Sequence, residues 1–135
     1  MNIKDNEILF IYNSKLYGDK QALGYVIPLD KHKIKEFDLM YEKLTERQIA
    51  EIADRMNVEL DDLLDKSSDA YKNNIHGATL EPHDKLKVMR ENPDTLKTPI
   101  AITTQKAVYV TDPYSLIKDD MEIDGVRRGY KGSKD

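Results

Sequence analysis

Five consecutive residues, Ile8-Leu9-Phe10-Ile11-Tyr12, decide the fold of this chain. A continuous apolar run of this length is typical of a strand buried on both faces, as in a parallel sheet. The polar turn 13–18 follows it, and residues 19–27 then have helical character until Pro28 stops the segment. Residues 34–38 alternate between apolar and polar, which predicts a second strand with one covered face. Strand, helix and strand within about 30 residues form a βαβ unit, so we expect two parallel strands joined by a right-handed crossover.

The middle third of the chain has helical patterns. Thr45 and Gln48 have the spacing of a capping box, and the apolar residues of 49–56 then fall on one face of a helix. A short second helix is predicted around residues 60–64, and a third over 82–91, where proline is a good first-turn residue.

Beyond residue 99 the period of the sequence changes from helical to strand-like. Residues 100–103 and 107–110 predict an antiparallel hairpin, and Asp112-Pro113 opens a last short helix. We expect one α/β domain over residues 1–123 and a basic, flexible tail over 124–135. A four-stranded mixed sheet, with a helical insertion between the βαβ half and the C-terminal hairpin plus helix, is the arrangement of a thioredoxin-like fold.

The composition excludes several kinds of chemistry. The 135 residues include no cysteine, which rules out a disulfide, a thiolate metal site and a cysteine nucleophile. A net charge of −4 argues against general affinity for nucleic acid. No apolar run approaches the ~20 residues that cross a bilayer, and the polar N-terminus has no secretory signal, so we expect a cytoplasmic protein with no membrane contact.

Several local stretches, in their order and spacing, resemble the arsenate reductase and Spx family of thioredoxin-fold proteins. The resemblance covers roughly residues 8 to 120, and the stretches that carry it are Ile11-Tyr12-Asn13, Lys20-Gln21-Ala22-Leu23, Leu60-Asp61-Asp62-Leu63-Leu64, Glu91 to Ile100 and Ala107 to Pro113. In the stretch 91–100 the family has an Asn-Pro or His-Pro, a leucine, and then a basic residue and a proline that lead into the third strand. The resemblance implies that Pro99 forms a cis peptide bond opposite the active loop. The alternative is a trans proline that begins an edge strand.

The departures from the family pattern concern its chemistry. The family places a catalytic cysteine in the loop after the first strand, where Leu16 or Tyr17 stands here. A leucine cannot attack arsenic, and a phenol with a pKa of about 10 is a poor nucleophile near neutral pH. Thr98 replaces the basic residue before the proline, although Lys97 stands one position earlier and Lys20 remains on the helix side. We therefore expect no arsenate reduction.

The resemblance and the loop pattern together define a degenerate active-site loop or anion-binding site with no catalytic residue. Its candidate residues are Asn13, Ser14, Leu16, Tyr17, Gly18, Lys20, Lys97, Thr98 and Pro99. Asn13 or Ser14 could cap the first helix, either beside a bound anion or as a purely structural cap.

Tyr17, Tyr25 and Tyr41 could fill the space that a ligand occupies in enzymatic relatives, or pack as ordinary half-buried aromatics. No metal site and no cofactor are expected, because the histidines show no ligand spacing.

Three functions remain as hypotheses. The first is a non-catalytic protein, a pseudoenzyme that acts by protein binding or regulation, as Spx-like relatives do when they dock on RNA polymerase. The second is a residual arsenate reductase or glutaredoxin-like enzyme, or a binder of phosphate, arsenate or glutathione, at the loop after the first strand. The third is a heterodimer in which a cysteine-bearing paralogue supplies the thiol.

Overall fold

The computed structural model describes residues 1–27 and 33–110. Contacts group the chain into a helical unit, Met1 with Leu39–Lys97, and a sheet unit, which contains Asn2–Asp38 and the residues from Thr98 onward. The expected last helix after Asp112-Pro113 and the expected tail 124–135 lie outside the described residues, and no described helix has the length and apolar character to cross a membrane.

The sheet unit contains four strands in the order β2-β1-β3-β4. Their bounds are Glu7–Tyr12 for β1, Lys33–Asp38 for β2, Ile100–Ile102 for β3 and Ala107–Tyr109 for β4. β1 is parallel to β2 and antiparallel to β3, and β3 is antiparallel to β4. The predicted mixed sheet, parallel pair and hairpin are confirmed.

Helix α1, Tyr17–Val26, follows β1 and precedes β2 in the sheet unit. Because side chains alternate along a strand, Ile8, Phe10 and Tyr12 lie on one face of β1, and they pack with Val26 of α1 and Val110. Ile8, Phe10 and Ile11 are fully buried, as expected for a strand covered on both faces. The helix begins two residues before the predicted start at Asp19, with the extended residue Leu16 as its N-cap and no side-chain cap.

The helical unit lies between β2 and β3 in the sequence, as predicted for an insertion. Its α-helices are α2 (Glu46–Met56), α3 (Asp69–Asn74) and α4 (Pro82–Glu91), with 3₁₀ turns at Leu60–Leu63 and Pro93–Thr95. The core of the unit is aliphatic, with Leu44, Ile49, Ile52, Leu63, Leu64 and Met89 buried. Leu64 pairs with Leu96, and the Lys97 N–H donates to the Leu63 carbonyl at 2.8 Å, so the returning chain is fixed before β3.

The predicted capping box at the start of α2 is present. The Gln48 N–H donates to the Thr45 hydroxyl at 3.0 Å, and the Thr45 N–H donates to the Gln48 side-chain oxygen at 2.9 Å. Two backbone donors that the helix leaves unpaired are satisfied in this way. At the other end, Asn57 adopts the left-handed conformation with φ of 60°, which stops the helix.

We expect Thr45→Ala to lower the free energy of unfolding by about 1 kcal/mol, because alanine leaves the Gln48 N–H without its acceptor. Urea unfolding followed by circular dichroism measures the change. Thr104→Ala, in the exposed hairpin turn, is the matched control and should change stability little. Equal effects of the two substitutions would contradict a role for the cap.

Candidate functional site

The loop 13–16 joins the end of β1 to the start of α1, where the resemblance places an active site. Asn13 is 3% exposed and begins the loop. The Leu16 N–H donates to the Asn13 carbonyl at 2.9 Å and closes a turn, after which the first residue of α1 is Tyr17. The turn directs the Leu16 and Tyr17 side chains outward, and they are 44% and 76% exposed.

Every backbone N–H group of this loop is already used within the protein. The Asn13 N–H donates to Asp19 Oδ2 at 2.9 Å, and the Ser14 N–H donates to Asp38 Oδ1 at 3.1 Å. The Lys15 N–H donates to Asn13 Oδ1 at 3.0 Å, in addition to the Leu16 turn. Two of the four acceptors are carboxylate oxygens, one from α1 and one from the end of β2. Two of the loop N–H groups are therefore already bonded to carboxylates of the protein.

Of the two carboxyl groups that accept from the loop, that of Asp19 is the more deeply buried. It belongs to the first turn of α1 and is 4% exposed. Burial raises the pKa of Asp19 above its ordinary value, while the nearby Thr98 hydroxyl and the Asn13 N–H lower it in part. Thr98 Oγ1 is itself buried and does not reach hydrogen-bond geometry with any group of the described residues.

The remaining candidate residues are divided between the two units. Gly18 and Lys20 are exposed on α1. Pro99 is buried and follows a cis Thr98–Pro99 bond, so the expected cis proline is confirmed. Lys97 is the last residue of the helical unit, and its backbone N–H donates to the Leu63 carbonyl.

Two expectations about the loop are wrong. Neither Asn13 nor Ser14 caps α1, because the turn 13–16 makes Leu16 the N-cap and uses the Asn13 side chain to accept from Lys15. The tyrosines do not fill a ligand space, since Tyr17, Tyr25 and Tyr41 are 76%, 60% and 83% exposed.

Asp19 and Asp38 are the site residues that the sequence analysis missed. A signal for Asp38 was present, because the carboxyl ends of parallel strands meet at one edge of a sheet and Asp38 ends β2 there. Asp19 had no comparable signal. An aspartate in a first helical turn is ordinarily exposed and favourable beside the helix dipole.

Known proteins resemble this chain in structure, whereas its sequence matches none of the known families. No known family model matches the chain, and no curated protein does. An arsenate reductase from Vibrio cholerae matches with a TM-score of 0.73, 13% identity, and coverage of 85% of this chain and 98% of that one. The chain has the arsenate reductase fold. The predicted thioredoxin-like architecture is thereby confirmed.

Two further structures agree with this assignment of the fold. An ArsC-family-related protein from Bacteroides fragilis has a TM-score of 0.69 and 13% identity, and covers 87% of this chain and 98% of its own. A protein from Staphylococcus aureus has a TM-score of 0.61 and 20% identity, and covers 80% and 95%. At such sequence identities the structural similarity establishes the arsenate reductase fold but not an activity. Any activity has to be argued from the residues of the loop.

We expect Asp19→Asn to raise the free energy of unfolding at pH 7 by roughly 1 kcal/mol, because the amide still accepts from the Asn13 N–H without a buried charge. A raised pKa means that the folded state binds the proton more tightly. Wild-type stability from Asp19 is therefore present at low pH and is lost as pH rises from about 3.8 through the folded pKa.

Urea unfolding from pH 3 to 7 should show the two proteins converging at low pH and separating towards neutral pH. Asp5→Asn, an exposed position of the same unit, is the control and should show no such divergence. A variant that is less stable than wild type at pH 7 would show that the fold stabilises the Asp19 charge.

Proposed function

We propose that this chain is a non-catalytic cytoplasmic protein with the arsenate reductase fold, which acts by binding another protein at the loop after β1. The observation that carries the proposal is the internal use of all four loop N–H groups, two of them by carboxylates. Regulation through such a contact, of the kind that the resemblance to Spx implies, belongs to the same proposal.

The electrostatics of the loop argue against an anion as its ligand. An oxyanion at this loop would have to displace Asp19 or Asp38 from its N–H donor and would then lie beside a carboxylate. Two unit negative charges about 4 Å apart repel by about 4 kcal/mol near a protein surface. The positive end of α1 cannot offset this repulsion easily, because Asp19 already occupies its first turn.

The side chains at the former nucleophile position favour a protein partner instead. Leu16 and Tyr17 replace a reactive group with two exposed, largely apolar side chains. Large exposed apolar groups next to each other are typical of protein interaction sites, and tyrosine is enriched there. The loop that presents them is held by hydrogen bonds to side chains of both α1 and β2. Little conformational entropy of the loop would therefore be lost on binding.

We expect arsenate, phosphate and glutathione at millimolar concentration to leave the melting temperature unchanged, because no loop N–H is available to them. A ligand present at 100 times its Kd would instead stabilise the fold by about 2.7 kcal/mol. Tyr17→Cys is the sharper test, since it restores a thiol without freeing the loop, and we expect it to gain no arsenate reductase activity. A thermal shift, or activity in that variant, would show that the loop binds an anion and would overturn the proposed function.

We expect a photo-crosslinking amino acid at position 16 to capture a partner from native lysate in a saturable way. Excess unlabelled wild-type chain should compete, whereas the double variant Leu16→Ser, Tyr17→Ser should not. The control is the same crosslinker at Gln105, which is exposed in the hairpin turn at the opposite end of the sheet. The same products from both positions would count against a binding site at the loop.

A further inference from the structure

We infer that the exposed face of α1 docks an acidic, amphipathic segment of the partner protein. The face is formed by Tyr17, Lys20, Gln21, Gly24 and Tyr25, and we call it the α1 face. The inference rests on the proposed function, since it assumes that the chain binds a protein. It adds the surface that makes the contact and the chemistry of what is bound.

Helix geometry separates the α1 face from the side that packs on the sheet. Asp19 and Val26 are buried and Ala22 and Leu23 half-buried, which places them on one side of the helix. Tyr17, Gln21 and Gly24 are spaced by four and three residues, so they lie together on the opposite side with Tyr25 at its margin. Leu16 and Ile27 flank the helix ends and are 44% and 50% exposed.

A hydrogen bond joins two side chains of the α1 face in the free chain. The Gln21 side-chain amide donates to the Tyr17 hydroxyl at 3.2 Å, which restrains a ring that is otherwise mostly in solvent. Tyrosine supplies large contact area at low entropic cost and is enriched at interaction hot spots. A restrained Tyr17 therefore serves as an anchor.

Gly24 is one of two glycines of α1 that the fold itself does not explain, the other being Gly18, and it is the one that lies on the α1 face. A Cβ at Gly24 would meet nothing within 4 Å among the described residues, and its φ lies outside the left-handed range. Neither packing nor backbone conformation requires glycine here, although glycine weakens a helix relative to alanine. The residue leaves bare backbone beside Tyr17 and Gln21, where another chain can approach closely.

The charge of the surface defines the chemistry of the partner. Between residues 15 and 27 the exposed charged side chains are Lys15 and Lys20, while Asp19 is buried. The surface is thus positive on a chain whose net charge is −4. Carboxylates on the partner complement Lys20, and apolar side chains cover the two tyrosines.

A second copy of the chain fits the α1 face poorly. In a twofold dimer the same patch meets itself, so the two positive surfaces would face each other. The area is also small, since a tyrosine buries about 150–250 Å² and a stable interface needs about 800 Å² per partner. A weak complex with an oppositely charged segment matches both the charge and the size.

The test is a selection of random 16-residue displayed peptides on the full chain, with counter-selection on Tyr17→Ser, Tyr25→Ser. We expect the enriched peptides to have net negative charge and at least two apolar anchors. The strongest peptide is then synthesised and titrated, together with a version in which every Glu and Asp is replaced by Lys. The lysine version should bind at least about fivefold more weakly.

Gly24→Ala is the decisive variant, because it should move stability and binding in opposite directions. Alanine raises the melting temperature because it has the higher helix propensity. Its added Cβ lowers the affinity for the acidic peptide by about fivefold or more. Lys20→Glu should lower the affinity for the peptide by about threefold and reduce the dependence of that affinity on salt concentration. Gln105→Ala is the control and should leave binding unchanged.

Other outcomes overturn the inference. They are the absence of enriched peptides, enrichment of neutral or basic ones, and full binding by Gly24→Ala. Self-association lost in Tyr17→Ser, Tyr25→Ser would identify a second copy as the occupant, and nuclear Overhauser contacts from Tyr17 to residues 111–135 would identify the chain's own segment. If Gly24→Ala leaves the crosslinking of a partner at position 16 intact, the docking of that partner on the α1 face is refuted but the proposed function is not. Anion binding, or activity in Tyr17→Cys, would refute the proposed function.

Discussion

The buried carboxyl group of Asp19 fixes the geometry of the loop on which the candidate site depends. It accepts the N–H of Asn13 at the end of β1 from within the first turn of α1, and Thr98, next to the cis proline before β3, lies beside it. Three segments of the sheet unit therefore converge on one acidic group. The cost of burying that group is visible in the direction of its pKa shift, which is upward.

The hydrogen bond between Asp19 and Asn13 also bears on the chemistry of the loop. The arsenate reductase architecture is present, but Asp19 and Asp38 accept two of the four loop N–H groups, Asn13 accepts the other two, and Leu16 and Tyr17 stand exposed at the start of α1. Restoring a thiol at Tyr17 would leave those acceptors in place. The chain has no cysteine, its loop is held by internal hydrogen bonds, and Leu16 and the α1 face form the outer surface of the loop and helix.

Elements with a strong local pattern were predictable from the sequence. Strand β1 is continuous and apolar, the Thr45 and Gln48 box caps α2, and Pro82 begins α4. The cap of α1 was not predictable in this way. Asn13 and Ser14 are good capping residues, yet the backbone of the loop is bonded to Asp19 and Asp38, which places Leu16 at the cap. A local preference gave way to one contact with the following helix and one with β2.

The sequence by itself determined the order of the four strands with α1, α2 and α4, the absence of thiol chemistry and the resemblance through which a cis proline was expected at Pro99, but it did not indicate α3. Those features depend on composition, periodicity and short motifs, which are local properties of a chain. Only the tertiary structure decided that Asp19 and Asp38 accept hydrogen bonds from the loop N–H groups and that Tyr17 and Tyr25 face solvent. The physical reason is that hydrogen-bond partners and exposure are set by which segments the fold brings together, and no local pattern encodes that choice.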